Sequence, residues 1–213
     1  MSRQLPRTRF IALDTEATGL DTRRDLPVAV AAVPFVEGQP RPDRGYSSLI
    51  NPGRPIPRAA RRVHGITDDH VKGAPPPDQA VRRLLCWWPA ETSLVGFHVH
   101  FDLTLLARIA RQSGLAPLAP PALDVADLAR ALWPRWDGLT LEELAARLEV
   151  PVEGRHTAEG DAIMAGRIYL KLVPHLLAAG IGTLEDAVRV QQALRDSALR
   201  MWPGLVHGIP GLP

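Results

Sequence analysis

Short apolar runs dominate the first quarter of the chain, and helical spacing takes over after them. Residues 9–14 (Arg-Phe-Ile-Ala-Leu-Asp) form an apolar run ending in an acid, which predicts a buried strand whose last residue emerges at the edge of a sheet. Residues 28–36, β-branched and alanine-rich, predict a second strand; Pro27 must sit at or before its first position, because proline cannot donate to a ladder. Residues 46–50 predict a third, closed by Asn51-Pro52-Gly53. Consecutive short strands of this kind suggest an antiparallel meander.

Downstream the spacing predicts a helical turn at 57–63, a helix start at 67–71 with Thr67 or Asp68 as cap, and a helix at 79–88 opened by the proline run before Asp78. A strand at 92–97 is followed by a helix at 101–113, apolar at 103, 105, 106, 109 and 110. Further helices are predicted at 123–132, at 140–148, where Thr140 and Glu143 form a capping box, and at 158–172. The pattern weakens from Pro174 before a last helix at 183–201. Strands first and mixed elements afterwards give an α/β fold, a mixed sheet flanked by helices. The expected organisation is one domain over 1–173 and a helical extension and tail over 174–213, its Gly- and Pro-rich end a flexible or docking segment.

Composition narrows the setting. The single cysteine, Cys86, excludes an intramolecular disulfide and a cysteine-based zinc site. No apolar run is long enough to span a membrane, and the N-terminal stretch lacks a secretory apolar segment, so a soluble, cytoplasmic protein is expected. A net charge of +2 and a pI near 9.1, carried by arginines with Lys72 and Lys171 the only lysines, permit a nucleic-acid partner without demanding one.

The candidate chemistry lies in acids. Residues two apart in a strand share a face, so Asp14 and Glu16 bring two carboxylates together. Like charges so close call for a cation, and hard Mg²⁺ or Mn²⁺ takes oxygen ligands. On its own Asp-x-Glu is a common surface pattern; the apolar run before it and the turn at Gly19 set this one apart. Asp102 and Asp161 fall in the first turns of predicted helices, a placement that dipole capping also produces, and complete a set of four carboxylates. His156, five residues before Asp161, would lie on the loop entering that helix. A lone histidine is more often solvated surface, yet one that titrates near neutrality suits a general base.

These residues carry a resemblance. The segment 10–20, containing Asp14-Thr15-Glu16-Ala17-Thr18-Gly19, resembles the first exonuclease motif of the DEDD superfamily, histidine subclass, the group of the proofreading epsilon subunit of bacterial DNA polymerase III. Asn51-Pro52-Gly53, Ile56-Pro57 and His64-Gly65-Ile66-Thr67 are similar to the segment that follows; Val95-Gly96 through Phe101-Asp102-Leu103 resembles the second motif, and 156–162 the third.

The resemblance implies a ribonuclease-H-like fold in which Asp14, Glu16, Asp102 and Asp161 hold two Mg²⁺ or Mn²⁺ ions and His156 deprotonates the attacking water. It implies 3'-to-5' exonuclease activity releasing nucleoside 5'-monophosphates, with Ala17, Thr18, His64 and Phe101 at the terminal nucleotide; for His64 a cap or loop hydrogen bond is the equal alternative. The expected partners are a nucleic acid with a free, single-stranded 3' end and a DNA polymerase; the alternative is a non-catalytic nucleic-acid or polymerase-binding module of the same fold. Two departures stand out. Ala17 replaces a common threonine, and Phe97-His98 replaces the usual His-Asn pair, with His100 nearby. His98 and His100 are expected to be structural or solvent-facing, since four carboxylates already serve two ions.

Overall fold

In the computed structural model, which describes residues 4–5 and 9–201 with side chains up to 197, six strands form one mixed sheet. They are β1 (Arg9–Ala17), β2 (Pro27–Val36), β3 (Gln39–Pro40), β4 (Tyr46–Leu49), β5 (Leu94–Gly96) and β6 (Ala122–Asp124). The sheet order is β3-β2-β1-β5-β6, with β4 also pairing along β2. The meander is antiparallel as expected, while β5 and β6 add in parallel on the other side of β1.

Eight α-helices are described: α1 (Arg58–His64), α2 (Asp68–Val71), α3 (Pro77–Trp87), α4 (Val99–Gln112), α5 (Val125–Leu132), α6 (Leu141–Arg147), α7 (Ala158–Ala178) and α8 (Leu184–Met201). Alternation along β1 divides them between two faces. Phe10 and Ala12 pack with Val33, Phe35 and residues of α5 to α8, whereas Ile11 and Leu13 pack with Val30, Ala32 and residues of α3 and α4. By the same alternation, Asp14 and Glu16 fall on the α7 side and Thr15 on the α4 side.

Three expectations need correction. First, β1 runs on to Ala17, because β2 continues to pair with it through an irregularity at Glu16/Ala17. Asp14 is therefore an interior strand residue. It nevertheless stands at a local edge, since β5 reaches only Ile11 and Ala12. Secondly, the segment expected as a helix from 123 begins as β6, whose register with β5 is set by long-range pairing too short to show a sequence period. Thirdly, α7 passes through Pro174 to Ala178. Burial of Leu172, Val173 and Leu176 on the core side outweighs the hydrogen bond that proline cannot donate.

The boundary at 173/174 thus falls inside a continuous helix, and α8 joins the same core through Leu184 and Ala187. Its fully buried Gln191 accepts from the Asp124 backbone N–H at 2.6 Å and donates through Nε2 to the Ala122 carbonyl at 3.2 Å. The amide therefore closes the free edge of β6. The expected docking tail beyond 201 lies outside the described residues. Replacing Gln191 with leucine leaves the buried Asp124 N–H and the half-buried Ala122 carbonyl without this partner, so chemical denaturation should show a loss of about 1–3 kcal/mol; an unchanged midpoint would mean that α8 does not hold β6.

Candidate active site

Beyond the end of β5, strand β1 is open on one side, and its Asp14 and Glu16 meet the first turn of α7. There Asp161 completes a group in which one carboxylate oxygen from each of the three residues lies within 4.8 Å of the others. Two glycines permit this approach. A Cβ at Gly96 would come 2.8 Å from the Leu13 carbonyl, so only glycine lets β5 end so close to β1. A Cβ at Gly160 would come 2.0 Å from the Gly154 carbonyl, so glycine is what allows the 154–157 loop to lie on α7. Thr157 then pins the loop, accepting from the Gly160 N–H at 3.1 Å and donating to the Gly154 carbonyl at 2.6 Å. His156 sits on this loop in left-handed backbone, φ 63°.

Asp102 is placed differently. It comes from the first turn of α4 on the opposite face, is 4% exposed, and accepts a 2.5 Å hydrogen bond from the Thr15 hydroxyl. It is outside the close group of three but near enough to Asp14 for their charges to repel. Burial is the main reason all four acids hold their protons more tightly than usual. Asp14 is raised well above its ordinary value, with repulsion from Asp102, Asp161 and Glu16 adding to the effect of burial. Glu16 is raised to about 7 by burial and then by Asp161. Asp102 is also raised to about 7, with the Thr15 hydrogen bond opposing. Asp161 is raised by burial and relieved by Arg155.

Arg155 escaped the sequence reading. Its guanidinium bridges Asp161, to which Nη1 donates, and Glu142 at the start of α6, 2.5 Å from Nε. Nothing in its spacing separated it from the many other arginines; the only available signal was adjacency to His156.

The remaining expected residues are split. His64 ends α1, is 8% exposed, and accepts from the Ile66 N–H through Nδ1 at 3.0 Å, which leaves the ring proton on Nε2. That Nε2 is buried without a hydrogen-bond partner. Burial holds the imidazole below its ordinary pKa; the nearby Ala17 backbone opposes this and the charge of His156 adds to it. His64, Ala17 and His156 thus share one neighbourhood.

Thr18 is committed elsewhere: its hydroxyl donates to Asp25 at 2.8 Å and accepts from the Leu26 N–H and Arg54, closing the loop after β1. Phe101 is half-buried, next to Asp102 in α4. The His98 ring lies tilted against Phe97 and its backbone N–H donates to Asp124, while His100 contacts Arg195 of α8. Neither histidine joins the carboxylate group.

With four acids gathered where β1 meets α4 and α7, three of them converging, comparison with known proteins becomes informative. A profile of the exonuclease family matches residues 11–169. The chain belongs to that family. Among its relatives, the DNA polymerase III subunit epsilon-like protein of Rhodobacter capsulatus is 37% identical over 182 residues, covering 84% of this chain and 26% of that protein. The 3'-5' exonuclease DinG of Bacillus subtilis is 28% identical over 185 residues, 86% of this chain and 20% of that protein. The exonuclease domain thus spans only about a quarter or less of these relatives. A solved structure of Exonuclease X in complex with 5' overhanging duplex DNA superposes with a TM-score of 0.63 at 22% identity, covering 85% of this chain and 99% of that one. At that identity the likeness speaks for the fold, which is the expected ribonuclease-H-like α/β architecture. No helix among the described residues is long and apolar enough to cross a membrane.

The raised carboxyl pKa values have a definite sign. Glu16 moves from 4.5 unfolded to about 7 folded, so between these values the folded chain keeps a proton that the unfolded chain releases. This stability is complete below the unfolded value and is lost as pH rises through about 7. In a chelator-treated sample, unfolding free energy should fall between about pH 5 and about pH 8, by on the order of 2–3 kcal/mol for Glu16 alone. Glu16→Gln should flatten the profile. A wild-type profile that is flat or rising over this range contradicts the burial of these charges.

Proposed function

We propose that this exonuclease domain hydrolyses phosphodiester bonds in the 3'-to-5' direction with two divalent ions, Mg²⁺ or Mn²⁺, and releases nucleoside 5'-monophosphates. The observation that carries the reading is the convergence of Asp14, Glu16 and Asp161 within 4.8 Å beside the His156 loop. The residues fit a hard cation. Three carboxylates present only oxygen ligands, and Asp161 Oδ1 is buried with no hydrogen-bond partner. When bound, the ions would supply Lewis-acid polarisation of the scissile phosphate and neutralise its developing charge.

The chain's own residues have distinct tasks in this reading. Asp14, Glu16 and Asp161 form the ligand set, and Asp102, oriented by the Thr15 hydroxyl, joins it from the α4 side through Asp14. His156 accepts the proton of the attacking water at a ring nitrogen; its loop is held by Thr157 and Gly160 so that the imidazole stays near Asp161. His64 has an unpartnered Nε2–H, and Ala17 and Phe101, the chain neighbours of Glu16 and Asp102, are the other residues proposed to meet a terminal nucleotide. The Thr18 hydroxyl has three partners in its own loop, so its contribution to the nucleotide pocket is through the shape of that loop.

The proposed substrate is a nucleic acid with a free, single-stranded 3' end. A polymerase partner is supported by the likeness to the Rhodobacter DNA polymerase III subunit epsilon-like protein, and co-purification with a polymerase tests it. The activity is tested on an oligonucleotide labelled at its 5' end, with Mn²⁺. A ladder of shortened, still labelled products is expected, with Asp14→Ala abolishing it and His156→Ala slowing it by roughly 10²–10⁴. Immediate release of the label as a mononucleotide would reverse the direction. No cleavage with any divalent ion would favour the non-catalytic alternative.

A further inference from the structure

Among the described residues, one guanidinium contacts the group of converging carboxylates. Arg155 directs Nη1 to Asp161, keeps Nε 2.5 Å from Glu142, and acts electrostatically on both Asp14 and Glu16. Its side chain is 26% exposed and that of Asp161 7%, so the pair is poorly screened by solvent. A guanidinium stays protonated at every accessible pH, so its positive charge is permanent. Asp161 and Glu142 belong to different helices, and Glu142 is outside the group of three converging carboxylates. One end of the bridge is therefore a candidate metal ligand and the other is not.

We propose that Arg155 is a tethered countercation: it satisfies Asp161 while the carboxylate site holds no metal, competes with the incoming ion for that carboxylate, and withdraws to Glu142 when the ion binds. The assignment rests on the metal reading above. It explains how several buried acids coexist before a metal arrives, and why Glu142 stands beside a site to which it contributes no ligand. Arg155 is a positioning residue in this scheme, setting the occupancy of the site through Asp161. The neighbouring His156 is coupled to the same event through the 154–157 loop, which Gly160 and Thr157 bind to α7.

The test is Mn²⁺ titration of the full chain by calorimetry, without nucleic acid, so that affinity is read independently of activity. Arg155→Met removes the competing charge at similar length and should tighten Mn²⁺ binding about tenfold while lowering the melting temperature of the metal-free protein. Arg155→Lys keeps the charge and should stay close to wild type. Glu142→Gln removes the alternative partner, leaves the guanidinium on Asp161, and should weaken Mn²⁺ binding several-fold. Unchanged or weaker binding by Arg155→Met, or tighter binding by Glu142→Gln, overturns the assignment while leaving the metal reading intact. A wild-type protein that takes up no Mn²⁺ overturns the metal reading itself, and this assignment with it.

Discussion

Like charges held in one small, poorly solvated place are the constraint around which this structure is organised. Asp14, Glu16 and Asp161 present oxygens within 4.8 Å of one another, and Asp102 adds a fourth acid close by. Burying carboxylates disfavours their ionised form, and each neighbour raises the cost for the others. The fold supplies the rigidity that keeps them together. A central strand is gripped by an antiparallel partner along its whole length, and α7 is pinned across it by a core including Phe10, Phe35, Ile168 and Tyr169. The compensation is local: a Thr15 hydroxyl for Asp102 and the Arg155 guanidinium for Asp161.

The two-faced sheet explains the division of labour among the acids. Because side chains alternate along β1, Asp14 and Glu16 look towards α7, and the intervening Thr15 looks towards α4. Asp161 therefore joins the first pair directly, whereas Asp102 arrives from the other side and is fixed through Thr15. A single three-residue stretch of strand thus collects carboxylates from two helices on opposite faces. In the proposed reading function and stability oppose each other here, since the acids that would hold a divalent cation raise one another's pKa and the Arg155 charge opposes that rise at Asp14, Glu16 and Asp161.

Much of this was legible in the sequence because the deciding features were local. The apolar run before Asp14, the Thr140/Glu143 capping box, and the positions of Asp102 and Asp161 in first helical turns all depend on neighbours a few residues away. The parts that were not legible depend on distant partners. Strand β6 exists because β5 pairs with it, α7 survives Pro174 because its apolar face is buried, and Gln191 is fixed by the edge of β6. Arg155 belongs to the same class: its role is defined by Glu142 and Asp161 in two separate helices. Thr18 shows the converse, for a motif-like position proves to be occupied by its own loop.

The central claim is that the oxygens of Asp14, Glu16 and Asp161 form a cradle for a divalent cation. Anomalous scattering from a crystal grown with Mn²⁺ tests it most directly. Anomalous density bounded by these three carboxylates, with the Arg155 guanidinium drawn back towards Glu142, is the predicted result. A crystal with no density there at saturating Mn²⁺, and Arg155 still lying on Asp161, would contradict it.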